Sequence, residues 1–160
     1  MKKIEITTSV IIYNDISELP EKDQLLMEKA VKARFKAYAP YSKFSVGVAL
    51  LLANNQIVLG SNQENAAYPS GMCAERVAIW KASTEYPNIA IKKMAISASS
   101  ANYTVSKPVG PCGACRQTLS EYEVNQKTPM KILFMGEIGS IIKTASLKDL
   151  LPFSFDSSYL

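Results

Sequence analysis

The chain has 160 residues, 48% apolar and 20% charged, and a formal charge of +4, which suits one domain with a core that needs no disulfide staple. The basic residues are scattered in runs no longer than pairs such as Lys92-Lys93, so a nucleic-acid partner is not expected. The apolar stretch Val10-Ile11-Ile12-Tyr13 is too short for a signal h-region or a membrane span, so a cytoplasmic protein with reduced thiols and no membrane partner is expected.

Taken in chain order, Pro20 to Ala37 predicts an amphipathic helix, with Leu25, Leu26, Ala30, Ala33 and Ala37 at helical spacing. Pro40 ends it, because proline disfavours helix in the residue before. Phe44 to Leu52 is an apolar, β-branched run and predicts a buried strand. Asn54-Asn55 signals a turn into a second strand over Ile57 to Gly60, making a hairpin. Cys73 to Ser83 predicts a second helix and Ile91 to Ala98 a third strand. Gly113 to Tyr122 predicts a third helix. Two short strands over Lys131 to Met135 and Ser140 to Thr144, then a helical turn over Ser146 to Leu151, complete the pattern. Interleaved strands and helices predict an α/β fold, a three-layer α/β/α sandwich around a mixed five-stranded sheet. Each strand–helix–strand unit is expected to be parallel and the hairpin antiparallel. Residues 1–160 then form a single catalytic domain, with 1–19 as an N-terminal extension.

Two short clusters carry the chemistry. Cys73-Ala74-Glu75-Arg76 and Pro111-Cys112-Gly113-Ala114-Cys115 hold all three cysteines of a chain with no histidine. Three thiolates fill three corners of a tetrahedral zinc and leave the fourth for water, the mark of a catalytic site. Cys112 and Cys115 share one face at the start of a helix, where the positive end of the helix favours thiolates. Pro111 and Gly113 predict a sharp turn there. Glu75, two residues from Cys73, points away from a ligand position but can lean over the open corner and carry protons. Three thiolates on Zn²⁺ leave a net charge of about −1, and Arg76 is a candidate to offset it by hydrogen bonds to sulfur. A thioredoxin-like Cys-Gly-Ala-Cys pair, a structural zinc with Glu75 as fourth ligand, and three unrelated buried thiols remain as alternatives.

Longer stretches carry a family resemblance. Tyr38-Ala39-Pro40-Tyr41-Ser42-Lys43-Phe44-Ser45-Val46-Gly47, Asn62-Gln63-Glu64-Asn65-Ala66-Ala67-Tyr68, Cys73 to Arg76, and Pro111 to Gln117 resemble the small, homotetrameric, zinc-dependent cytidine deaminases of free nucleosides. Leu150-Leu151-Pro152 followed by Phe155 resembles the end of that family. The resemblance runs from about residue 20 onward, with Ser99 to Val109 as a longer, polar loop beside the pocket.

The resemblance implies hydrolytic deamination of cytidine and 2′-deoxycytidine to uridine and 2′-deoxyuridine, with release of ammonia, in pyrimidine salvage. It implies one Zn²⁺ per subunit on Cys73, Cys112 and Cys115, and Glu75 as the proton carrier. Phe44 packs on the pyrimidine, Asn62 and Glu64 bind the ribose, and Ala74 with Ser70-Gly71-Met72 lies along the base. Ala66, Tyr68 and Phe155 serve the shared sites of a homotetramer. A deaminase of another aminopyrimidine, such as blasticidin S or a base within RNA, and a non-catalytic zinc or redox module are the competing readings.

Overall fold

Alternate residues of the central strands belong to two different cores, and this sets the layering. A computed structural model describes all residues, Met1–Leu160. Its elements are β1 (Val10–Tyr13), α1 (Glu21–Arg34), β2 (Phe44–Leu52), β3 (Ile57–Ser61), α2 (Ala74–Glu85), β4 (Ile91–Ser100), α3 (Gly113–Gln126), β5 (Lys131–Met135) and β6 (Ile141–Thr144). Val48 and Leu50 of β2, Met94 and Ile96 of β4, and Ile132 and Phe134 of β5 join Ala78 and Ile79 of α2 and Leu119 of α3 in one cluster. The residues between them, Ala49, Ala95 and Leu133, join Leu26, Met27 and Ala30 of α1 in the other. Period-two alternation thus gives each face of the sheet its own helical layer, the expected three-layer sandwich. No helix is long and apolar enough to cross a membrane.

The sheet has six strands in the order β1-β6-β5-β4-β2-β3, one more than the sequence predicts. The additional strand, β1, falls within residues 1–19. Val10, Ile11 and Ile12 are all exposed, so no in/out alternation announces a strand. Pairing makes it one: β1 runs antiparallel to β6 from Val10↔Thr144 to Tyr13↔Ile141 and satisfies that edge. Leu19, only 3% exposed, already belongs to the α1-side core. The strand directions match expectation, since β3 and β4 are both antiparallel to β2 and so run parallel to each other, but the adjacency of the strands differs. Only β4 and β5 are parallel neighbours, while β2 lies between β3 and β4 and is antiparallel to both. The β3–α2–β4 connection therefore steps over β2.

Helix α1 is shorter than predicted and turned relative to the predicted face. Pro20 is its N-cap and Phe35 its C-cap, and Leu25 is exposed while Met27 and Arg34 are buried. The cause is a close approach: a Cβ on Gly47 of β2 would lie 2.2 Å from the Ala30 carbonyl oxygen and the Arg34 amide nitrogen. At its other end α1 presents Asp23, 0% exposed, to Lys93 of β4 and to Lys143 of β6, the latter at 2.7 Å. Burial alone would raise the Asp23 carboxyl, but the two ammonium partners outweigh it and hold the group below its ordinary value.

The Asp23→Asn variant leaves two half-buried ammonium groups without their shared partner. It should lower stability by about 3 kcal/mol at neutral pH in denaturant titrations. A depressed folded-state pKa stabilises above the unfolded value and loses that contribution as pH falls through the folded one. The gap between wild type and variant should therefore be full at pH 7 and close as pH drops below about 3.9.

Candidate functional site

The site begins with a second close approach. A Cβ on Gly60 of β3 would lie 2.6 Å from the Ala74 carbonyl oxygen and the Ala78 amide nitrogen, so the first turn of α2 rests directly on the strand. Cys73, the first residue of the predicted helical span, is the N-cap of α2 and lies just outside the observed helix, with an extended backbone. Cys112 is the N-cap of α3, again extended, and Cys115 is buried in its first turn. Gly113 has open space around its Cβ position and is not among the residues of positive φ. The turn is made by the extended backbone at Cys112.

The sulfurs of Cys73 and Cys112 are 4.0 Å apart and those of Cys112 and Cys115 3.5 Å. All three lie within 4.8 Å of one another. Thiolates at about 2.3 Å from a tetrahedral zinc sit about 3.8 Å apart, so the residues fit that ion. Glu75 is not part of the ligand cluster. A lone redox pair would have no use for the third sulfur.

Arg76 points a guanidinium nitrogen at the Cys73 sulfur, 3.8 Å away, and lies over the Trp80 ring at 6.0 Å. The neighbouring Cys115 thiol, followed by Arg76, lowers the Cys73 pKa to about 5. The neighbouring Cys73, with burial, pushes the Cys115 thiol up. Positive charge is thus already aimed at the sulfurs, as a metal–thiolate centre of net negative charge requires. Glu75 is 6% exposed, and burial, reinforced by the Cys73 charge, raises its carboxyl above the ordinary glutamate value.

These groups form one end of a cavity of about 610 Å³ lined by Phe44, Asn62, Glu64, Tyr68, Cys73, Ala74, Glu75, Arg76 and Cys112, among others. A small ladder beyond β3 assembles its wall. Gln63 exchanges backbone hydrogen bonds with Met72 at 2.8 and 2.7 Å, while Tyr38 and Glu64 bond on its other side. Asn62 and Glu64, two apart on this extended segment, project the same way. The Asn62 carboxamide accepts from the Val46 amide at 2.7 Å and donates to the Phe44 carbonyl at 2.9 Å. It thereby continues the hairpin and fixes Phe44. Glu64 accepts from the Tyr41 amide at 2.8 Å, the Ser42 amide at 3.3 Å and the Ser42 hydroxyl.

Most of the predicted site residues converge here, and three do not. Ala66 and Phe155 are absent from the cavity lining, as is Ser70 beside Gly71 and Met72. Phe155 is 59% exposed and stacks on Tyr159 at 5.6 Å. Tyr68 sits at the cavity mouth, 78% exposed. The Ser99 to Val109 segment is only partly a loop. Its first two residues extend β4, Val105 is buried with its carbonyl accepting from Glu137 at 2.7 Å, and Val109 lines the cavity.

Sequence reasoning assigns no role to Arg116 and Gln117. Arg116 donates to the carbonyls of Pro111 at 2.8 Å and Leu150 at 2.9 Å, and Gln117 to that of Phe155 at 2.8 Å. Together they tie the C-terminal segment across the start of α3. Their place beside Cys115 is the one signal in the sequence, but Leu150 and Phe155 are more than thirty residues away.

A zinc-type trithiol centre with a buried carboxylate, on two helix N-termini of an α/β/α sandwich, defines a hydrolytic metal-site class. Comparison with known proteins narrows it. The family model described as the cytidine and deoxycytidylate deaminase zinc-binding region matches residues 20–129. Cytidine deaminase of Halalkalibacterium halodurans is 36% identical, over 82% of this chain and 92% of that protein. That of Sporosarcina psychrophila is 38% identical, over 84% and 92%. The crystal structure of cytidine deaminase from Burkholderia pseudomallei superposes with a TM-score of 0.72 at 35% identity, covering 86% of this chain and all of that one. The chain belongs to the cytidine deaminase family.

The Cys112→Ala variant removes a sulfur that lies 4.0 Å from that of Cys73 and 3.5 Å from that of Cys115. Zinc content by elemental analysis should fall from about one per chain to well below, and the melting temperature should drop with it, because metal binding and the meeting of two helices are coupled.

Proposed function

We propose that this protein hydrolytically deaminates free cytidine and 2′-deoxycytidine, yielding uridine or 2′-deoxyuridine and ammonia, as a cytoplasmic homotetramer in pyrimidine salvage. The observation that carries the reading is a buried Glu75 beside three convergent thiols at one end of a nucleoside-sized cavity. Cys73, Cys112 and Cys115 hold the metal. The chemistry the zinc supplies when bound is Lewis acidity, which makes water a competent nucleophile near neutral pH.

The protein's residues do the rest. Glu75, its carboxyl raised by burial, takes a proton from the attacking water and delivers it to ring N3. Hydroxyl oxygen adds at C4, and the carboxyl, ionised again, takes the remaining hydroxyl proton and hands it to the amine as the C4–N bond breaks, so the C4 carbonyl forms and ammonia leaves. Arg76 offsets excess negative charge at the sulfurs. Phe44 offers an aromatic face to the ring, and the backbone of Ala74, Gly71 and Met72 borders the base. Glu64 takes the ribose 3′-hydroxyl, helped by the Asn62 amide proton not used on β2. Ala66, Tyr68 and Phe155 complete neighbouring sites across subunits. The exposure of all three, with Tyr68 at the cavity mouth, supports that role, and sedimentation should give a mass near four chains.

Cytidine absorbance followed with purified protein should fall with time, release ammonia, and stop after chelation. The Glu75→Gln variant should keep zinc and fold while kcat falls at least 10²-fold. Wild-type turnover in that variant would remove Glu75 from the mechanism. An inert, zinc-loaded wild type would redirect the reading to a different aminopyrimidine.

A further inference from the structure

We infer that Ser42 is a positioning residue for sugar recognition, its hydroxyl orienting Glu64 and coupling that carboxylate to Phe44. The inference rests on the reading of Glu64 as the ribose contact and of Phe44 as the base contact.

The hydrogen-bond geometry leaves the hydroxyl one arrangement. The Phe44 backbone N–H donates to Ser42 Oγ at 3.0 Å, so the oxygen acts there as acceptor. Its single proton then goes to Glu64 Oε1, because an ionised carboxylate only accepts. The other carboxylate oxygen takes the Tyr41 and Ser42 amides at 2.8 and 3.3 Å. Three donors from one turn therefore fix the plane of the carboxylate and leave one lone pair, on Oε1, for a donor in the cavity that Ser42, Phe44 and Glu64 all line.

The turn is itself constrained. Lys43 has a φ of 55°, a left-handed conformation uncommon outside glycine and asparagine, and its amide bonds to the Ala39 carbonyl at 3.2 Å. That bend brings the Ser42 hydroxyl beneath the first amide of β2. The chain Phe44 N–H to Ser42 O–H to Glu64 thus spans the distance between base and sugar contacts. Glu64 is only half-buried, and without the hydroxyl its Oε1 would turn toward water. Charge-assisted bonds of this kind are stronger than neutral ones.

The test compares cytidine with 3′-deoxycytidine, which lacks the hydroxyl that Glu64 takes. In the Ser42→Ala variant, kcat/KM for cytidine should fall roughly tenfold, almost wholly through KM. The value for 3′-deoxycytidine should change less than about twofold, and zinc content and melting temperature should hold. Ser42→Thr, which keeps a hydroxyl at an exposed position, should restore cytidine binding. The Glu64→Ala variant should show the same substrate selectivity, more strongly. Equal losses on both nucleosides in Ser42→Ala, or no loss on cytidine, would overturn the positioning role while Glu64→Ala still discriminates. If Glu64→Ala itself treats the two nucleosides alike, the ribose reading fails, and the inference with it.

Discussion

Three sulfurs from two helices must meet at one point, and nearly every other feature near the site follows from that requirement. Cys73 and Cys112 are both N-cap residues with extended backbones, so each places its sulfur over the positive end of its own helix. The dipole of α2 and Arg76 then favour charge at the Cys73 sulfur. The sulfur separations of 4.0 and 3.5 Å follow from how α2 and α3 rest on the sheet. Gly60 is part of that placement, because any side chain there would lift the first turn of α2.

The sheet supplies the rigidity that this placement needs. Its two faces are filled by alternate residues of the same strands, so a shift on one side disturbs the other. Asp23 links α1 to β4 and β6 from the face opposite the metal centre, and Gly47 lets α1 touch β2. Strand β2 is thus held from the α1 side, and Phe44 at its start is held by Asn62. The aromatic ring of Phe44 at the cavity wall is thus placed by backbone pairing and not by side-chain packing alone.

The cavity wall shows economy of a different sort. One extended segment, residues 62–64, pairs on both edges and still presents Asn62 and Glu64 to the cavity. Asn62 spends one acceptor site and one amide proton on β2, and Glu64 takes three donors from the Tyr41–Ser42 turn. The loop from Tyr41 to Lys43 orients that acceptor. Arg116 and Gln117 fasten the C-terminal segment across the start of α3, next to the cysteines.

Much of this is legible in the amino-acid sequence. The apolar run of β2, the Asn54-Asn55 turn (where Asn55 has a φ of 65°) and the helical spacing of Leu26, Ala30 and Ala33 carry local signals. The cysteine spacing with Glu75 defines the chemistry, because few reactions use three thiols beside a carboxylate. What sequence does not decide depends on contacts between distant segments. β1 carries no alternation and is a strand only because β6 offers an unpaired edge. The place of β2 between β3 and β4, the rotation of α1 set by Gly47, the reach of Arg116 to Leu150 and the grip of Ser42 on Glu64 are all of this kind. Local sequence determined which residues carry the chemistry, since composition and short spacing encode it. Tertiary structure alone decided how those residues are aimed, since aim depends on hydrogen bonds and close approaches that no short window of sequence contains.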